Sequence, residues 1–184
     1  MEVKPLTNEN IDDFYNFMKN TGFEDCQCVF FYRAHLPGET WQLSVDEMKD
    51  IRKDITMNKC DGYLGYVNKE VVCWCQVISM DDSIFLKKII ECDNPEAVVL
   101  SCFLTHPEHR REGLMRIMIG EIIEILIRQG VKEIYGIPVN EAVFEKSDKK
   151  HHSVLGHTGY IGIYEEFGFK EVKITERYIV VRRV

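Results

Sequence analysis

The residues best suited to chemistry form one short stretch, His106-Pro107-Glu108-His109-Arg110-Arg111-Glu112-Gly113, set between two apolar runs. The run before it, Ala97 to Leu104 (AVVLSCFL), is apolar on both faces, as in a central buried strand. The run after it, Gly113 to Gln129, carries Arg116, Gly120, Glu124 and Arg128 at every fourth position. That is one polar stripe on an otherwise apolar helix, which must lie against a sheet. A helix start has unsatisfied N–H groups and a partial positive charge, so it can hold a phosphate group without many basic side chains. Gly113 removes a side chain where a ligand would meet the backbone, and Arg110 and Arg111 add charge there. An ordinary turn with solvated arginines has the same composition, so the stretch alone does not decide.

The histidines offer proton transfer near neutral pH. His151 and His152 stand in the polar stretch KSDKKHHS, where solvated loop histidines are equally in keeping. His106 and His109 flank Pro107 and shape the turn. His157 suits a base, a ligand contact or packing. Seven cysteines include the pairs Cys26/Cys28 and Cys73/Cys75. Four thiolates can bind zinc, but C-x-C is tighter than the usual knuckle spacing, and free cysteine is commonly buried. The cysteines are therefore read as structural, with no metal expected. Glu70, Glu165 and Glu166 read as surface charges.

The elements that must position these groups follow from pattern. Val3 to Leu6 suits a short strand. A helix from Thr7 or Asn8, either able to cap it, runs to about Asn20 with Ile11, Phe14, Phe17 and Met18 on one face. Ser44 and Glu47 have capping-box spacing before a helix from Val45 to about Met57. GYLGYV, Asn68-Lys69 and EVVCWCQVIS read as a hairpin. A short helix falls between Ser79 and Lys88. Lys132 to Val139 is a strand, Asn140 to His157 a long polar loop, Thr158 to Phe167 a helix, and Phe169 to Ile174 and Tyr178 to Val184 two last strands. Phe23 to Trp41 shows no regular pattern.

With 184 residues, 45% hydrophobic and 29% charged, the chain is expected to be one globular domain, 1–184. A formal charge of −7 disfavours a nucleic-acid footprint and mildly favours cationic partners. No apolar run suggests a membrane span, and MEVKPLTNENIDDF lacks the layout of a signal peptide. Free thiols and a cytoplasmic protein, monomer or homodimer, are the expectation.

Taken together, LTHPEHRREGL and IYEEFGF resemble the GNAT superfamily of acetyl-CoA-dependent N-acetyltransferases. Its signature is a strand, a Pro, then Q/R-x-x-G-x-G/A opening a long helix; a later helix ends in Tyr-x-x-x-Gly-Phe. Arg110 fills the Q/R position and Gly113 the first glycine. Met115 stands where the family prefers Gly or Ala, and Glu112 puts a negative charge in the turn. His157, seven residues before Tyr164, stands where many members have a cofactor-binding Asn. The resemblance is specific from about Ala97 to Phe169.

The resemblance implies an α/β (α+β) fold. Its central sheet is mixed and mostly antiparallel, with about six or seven strands flanked by helices and a splay next to the cofactor strand. Acetyl-CoA would set its pyrophosphate on the turn Arg110, Arg111, Glu112, Gly113, Leu114 and Met115, and its pantetheine beside Phe103, Leu104 and Thr105. His157 would hydrogen-bond the cofactor, a main-chain N–H near Leu104 or Thr105 would polarise the thioester, and the loop from Asn140 to Gly156 would form a lid. Tyr164 would be the general acid in direct transfer to a primary amine, of a small molecule or a peptide. A non-catalytic acyl-CoA-binding module of the same fold is the alternative.

Overall fold

Antiparallel pairs build most of the sheet. The computed structural model describes residues 1–33, 43–144 and 156–184. β1 (Glu2–Pro5) runs antiparallel to β2 (Gly62–Val67), and β2 to β3 (Glu70–Ser79). Asn68 and Lys69, at φ 50° and 72°, supply the left-handed pair that lets a two-residue turn match the strand twist. β4 (Val98–Thr105) is antiparallel to β3 and parallel to β5 (Ile134–Gly136). β7 (Ile179–Arg183) lies antiparallel between β5 and β6 (Lys170–Ile174), giving the order β1-β2-β3-β4-β5-β7-β6. The mixed, mostly antiparallel sheet of the sequence reading is thus present.

α1 (Ile11–Thr21) buries Ile11, Phe14, Phe17 and Met18, and ends where Gly22 turns left-handed at φ 81°. Its start differs from the expectation. Asn10 is the N-cap, and its side chain is already bonded to the Thr7 N–H and the Pro5 carbonyl, so neither Thr7 nor Asn8 caps the helix. A short α2 (Phe30–Arg33) follows. α3 (Val45–Asn58) starts with the full Ser44–Glu47 capping box. α4 (Ile84–Ile90) is capped by Ser83, whose hydroxyl accepts from the Leu86 N–H. α5 (Leu114–Arg128) covers one sheet face, and α6 (Glu141–Phe144) and α7 (Ile161–Glu165) are short.

Two spans are shorter than expected. β5 stops at Gly136 because Pro138 has no N–H to donate, and Val139 makes only an isolated bridge to Tyr178. Gly159, at φ 78°, interrupts the helix expected from Thr158, leaving a 3-10 turn at Gly156–Thr158 and then α7.

β4 carries the irregularity that shapes the site. Gln76 faces Cys102 while Val77 faces Leu100, so Ser101 is the extra residue of a β-bulge. The bulge reverses parity: Leu100 and Phe103 both join the core under α5, whereas Cys102 and Leu104 pack on the other side. β5 pairs with β4 only through Leu100. From Ser101 to Thr105, the β4 edge away from β3 therefore has no partner strand among the described residues.

On the α1 side, a buried polar cluster ties loop to sheet. The fully buried Arg52 guanidinium pairs with Asp61 at 2.5 Å and donates to the main-chain carbonyls of Gln27 (2.9 Å) and Cys28 (2.8 Å). Tyr32 and Gln76 also donate to Asp61, and Gln76 to the Cys28 carbonyl. Every strong donor in this cluster has an acceptor, which is what makes a buried charge tolerable.

Candidate active site

The unpaired edge of β4 opens into a cleft of about 470 Å³. Phe103, Leu104 and Thr105 form its floor, and Arg110 and Met115 close the end nearest α5. His157, Gly159, Tyr160 and Ile163 form the facing wall, and Phe23 reaches in from the loop after α1. The wall packs tightly: a Cβ on Gly159 would sit 3.0 Å from the Phe103 ring. A second, more polar cavity of about 380 Å³ lies between α1, the start of β3 and the turn after β4, beside Asp13, Glu70 and His106.

The turn into α5 leaves its helix start without a side-chain cap. Gly113 is the N-cap at φ 74° and offers no side chain to the first-turn N–H groups. Nothing lies within 4 Å of where its Cβ would be, so the space over the helix start is open. Arg111 is also left-handed, at φ 70°. Arg110 points its Nε to the Thr105 carbonyl at 3.5 Å, on the cleft side. The Glu112 carboxylate lies within hydrogen-bond reach of His109 Nδ1, at 3.2 Å. Leu114 and Met115 pack against the core under α5, and Met115 narrows the cleft as well.

His157 faces Phe23 edge-on, with ring centroids 4.5 Å apart. Among the described residues, its buried Nε2 has no hydrogen-bond partner. Burial, and secondarily the Arg110 charge, hold its pKa below the usual imidazole range. The ring is therefore mainly neutral at pH 7, a wall group of the cleft whose Nε2 is itself covered.

Tyr164 sits differently from its expected role. It is fully buried behind Phe103, and its hydroxyl donates to the Thr158 carbonyl at 2.8 Å, with the Leu100 carbonyl at 3.2 Å. Its ring lies on Gly136, where a Cβ would come within 2.1 Å, and burial pushes the phenol pKa well up. A phenol has one proton, and this one is committed to the main chain and sealed from the cleft. The phenol that the fold does bring to the cleft is Tyr160, about half exposed at 52%.

Cys73 and Cys75 are buried in β3 under α5, with Cys73 Sγ 3.7 Å from Thr105 Oγ1. Cys28 lies on the opposite face, its sulfur 3.6 Å from that of Cys102. Among the described residues, no group of three or more His, Cys, Asp or Glu is arranged to hold a metal ion. None of the described helices is long and apolar enough to cross a membrane. His106 accepts the Glu108 N–H at 3.4 Å and so shapes the turn. His151, His152 and most of the expected lid lie outside the described residues.

Sequence reasoning missed Phe23, Gly159, Tyr160 and Ile163. Phe23 follows a helix-ending glycine and Tyr160 follows Gly159, so both had turn signals, but nothing in their spacing linked them to β4.

The model of the Acetyltransferase (GNAT) family matches residues 28–169. Among solved structures, the chain is similar to the PaiA N-acetyltransferase of Thermoplasma acidophilum in complex with coenzyme A (TM-score 0.54, 11% identity, 99% of this chain and 97% of that one). It is similar to a putative GNAT-family acetyltransferase of Desulfovibrio desulfuricans (TM-score 0.58, 11% identity, 99% and 97%). It is also similar to the ribosomal-protein-S18-alanine N-acetyltransferase of Escherichia coli (TM-score 0.51, 13% identity, 98% and 90%). At these identities the likeness is one of fold. No curated protein matches the chain by sequence.

Proposed function

The chain belongs to the acetyltransferase (GNAT) family, and on that premise we propose that it moves an acetyl group from acetyl-CoA to a primary amine, of a small molecule or a peptide. The observation that carries this reading is the β4 edge Ser101–Thr105, without a partner strand among the described residues, followed after the turn His106–Glu112 by a helix start at Gly113 that no side chain caps. An extended amide-bearing chain can add to such an edge like a strand, while its phosphates meet the N–H groups at the helix start. Acetyl-CoA has that layout. The residues present fit it: main-chain groups from Phe103 to Thr105 for the pantetheine, and those from Arg111 to Met115 with the Arg110 side chain for the pyrophosphate. His157, on the cleft wall, is the imidazole nearest the cofactor path, and its Nε2 would need a small ring movement to meet a cofactor amide or the incoming amine.

Transfer itself needs three things from the protein. The amine nitrogen must be neutral when it attacks the thioester carbon, the oxyanion must meet an N–H donor, and the departing thiolate must be protonated. The proton carriers lining the cleft are His157, neutral and able to accept, and Tyr160, a phenol able to donate. The acceptor enters as a cation at neutral pH, in keeping with the net charge of −7.

The sealed Tyr164 favours one other reading, a module that binds acyl-CoA without turnover. Calorimetry with coenzyme A, followed by an amine-library screen with acetyl-CoA that reads free thiol release, separates the two. Binding with thiol release for some amine supports transfer. Binding without release across the library supports the module. Absence of binding removes both.

A further inference from the structure

We propose that Cys28 and Cys102 are a dithiol–disulfide site, closed by a hydroperoxide and reopened by a small thiol, that ties the loop wall of the cleft to β4. The two sulfurs lie 3.6 Å apart across 74 positions of sequence. Closing them to a bond of about 2.05 Å takes a movement of roughly 1.5 Å, within reach of a side-chain rotation.

The protein holds this approach in place by means that do not involve sulfur. Gln27 and Cys28 are both left-handed, at φ 48° and 51°, a backbone that non-glycine residues adopt only when held. The hold is visible: Arg52 bonds the carbonyls of both residues, and Gln76 bonds that of Cys28. The partner sulfur belongs to the residue after the Ser101 bulge, and Phe103, the next residue, lines the cleft. The site thus joins the loop that carries Phe23 to the strand edge on which an acyl-CoA would lie.

The two thiols differ in access. Cys28 is 3% exposed, whereas Cys102 is half-buried and is the one an oxidant reaches. The Cys102 thiolate attacks one oxygen of the hydroperoxide; the O–O bond breaks, an alcohol or water leaves, and Cys102 becomes a sulfenic acid. The Cys28 sulfur then attacks the sulfenic sulfur; an S–S bond forms, the S–O bond breaks, and water leaves with the Cys28 proton. Two thiols lose two hydrogens and two electrons, and one hydroperoxide gains them. Cys26, whose thiol also hydrogen-bonds that of Cys28, is the competing thiol that the test must distinguish.

The test treats the full-length reduced protein with hydrogen peroxide, blocks the remaining thiols with an alkylating agent, and maps peptides without reduction. The expected result is a Cys28–Cys102 cross-link, loss of two of the seven thiols, and recovery of both with dithiothreitol. Cys26→Ser should leave the cross-link intact, and Cys28→Ser and Cys102→Ser should abolish it. A cross-link from Cys26, or a sulfinic acid or mixed disulfide on Cys102 with Cys28 still reduced, overturns the proposal. The wild-type map decides even if a variant does not fold. No readout depends on acetyl transfer.

Discussion

Replacing Tyr164 with Phe separates a structural hydroxyl from a catalytic one. The substitution keeps the ring, and with it the contacts to Phe103 (5.8 Å between centroids) and Phe169 (5.3 Å). It removes one donor that serves the Thr158 carbonyl at 2.8 Å, with the Leu100 carbonyl close by at 3.2 Å. A typical internal hydrogen bond contributes about 1 kcal/mol, and leaving a buried carbonyl unpaired raises the loss to about 1–3 kcal/mol. For a domain of this size each kcal/mol shifts Tm by roughly 2–4 °C, so a fall of about 2–12 °C is expected. Coenzyme A affinity by calorimetry and turnover on a working amine should both stay within a few-fold. The assay set is thermal denaturation, calorimetry and thiol release on the same preparations. A turnover loss of about 10²-fold or more, with Tm unchanged, would refute the reasoning, because that is the scale of general acid catalysis.

Gly113→Val places a branched side chain at φ 74°, over the open helix start; coenzyme A affinity should fall more than about tenfold, or about 1.4 kcal/mol, and unchanged affinity in a folded variant would remove the turn from the site. His157 has a lower pKa folded than unfolded, so the unfolded chain binds more protons. The stability present above the unfolded value, about 6.5, should therefore be lost as pH falls toward the folded one. His157→Asn should flatten that part of a stability-versus-pH curve measured by urea titration, and an unchanged curve counts against the buried neutral ring. Arg52→Met leaves the Asp61 carboxylate buried without its cation, which should cost about 3–5 kcal/mol in urea titration; a loss under about 1 kcal/mol would mean the pair is not buried as described.

Where local rules govern, the chain spelled out its structure. The Asn68-Lys69 turn, the Ser44–Glu47 capping box and the polar stripe of α5 each depend on residues a few positions apart, so the hairpin, α3 and α5 were legible in advance. The turn from Arg110 to Gly113 was legible for the same reason, since strand, turn and helix start follow one another in sequence. Relations between distant segments were not legible. The Ser101 bulge appears only when β3 is laid against β4, and the place where β5 departs from β4 fixes the cleft. Gly136 looked like any strand glycine until the Tyr164 ring was seen to need its space. The motif could name Tyr164 as the phenol in the family's general-acid position, but it could not say where the proton goes. That depends on Thr158 and Leu100 carbonyls brought together by packing. The same holds for Cys28 and Cys102: local spacing places Cys28 beside Cys26, whose thiol it does meet, but only tertiary packing sets its sulfur against β4 as well.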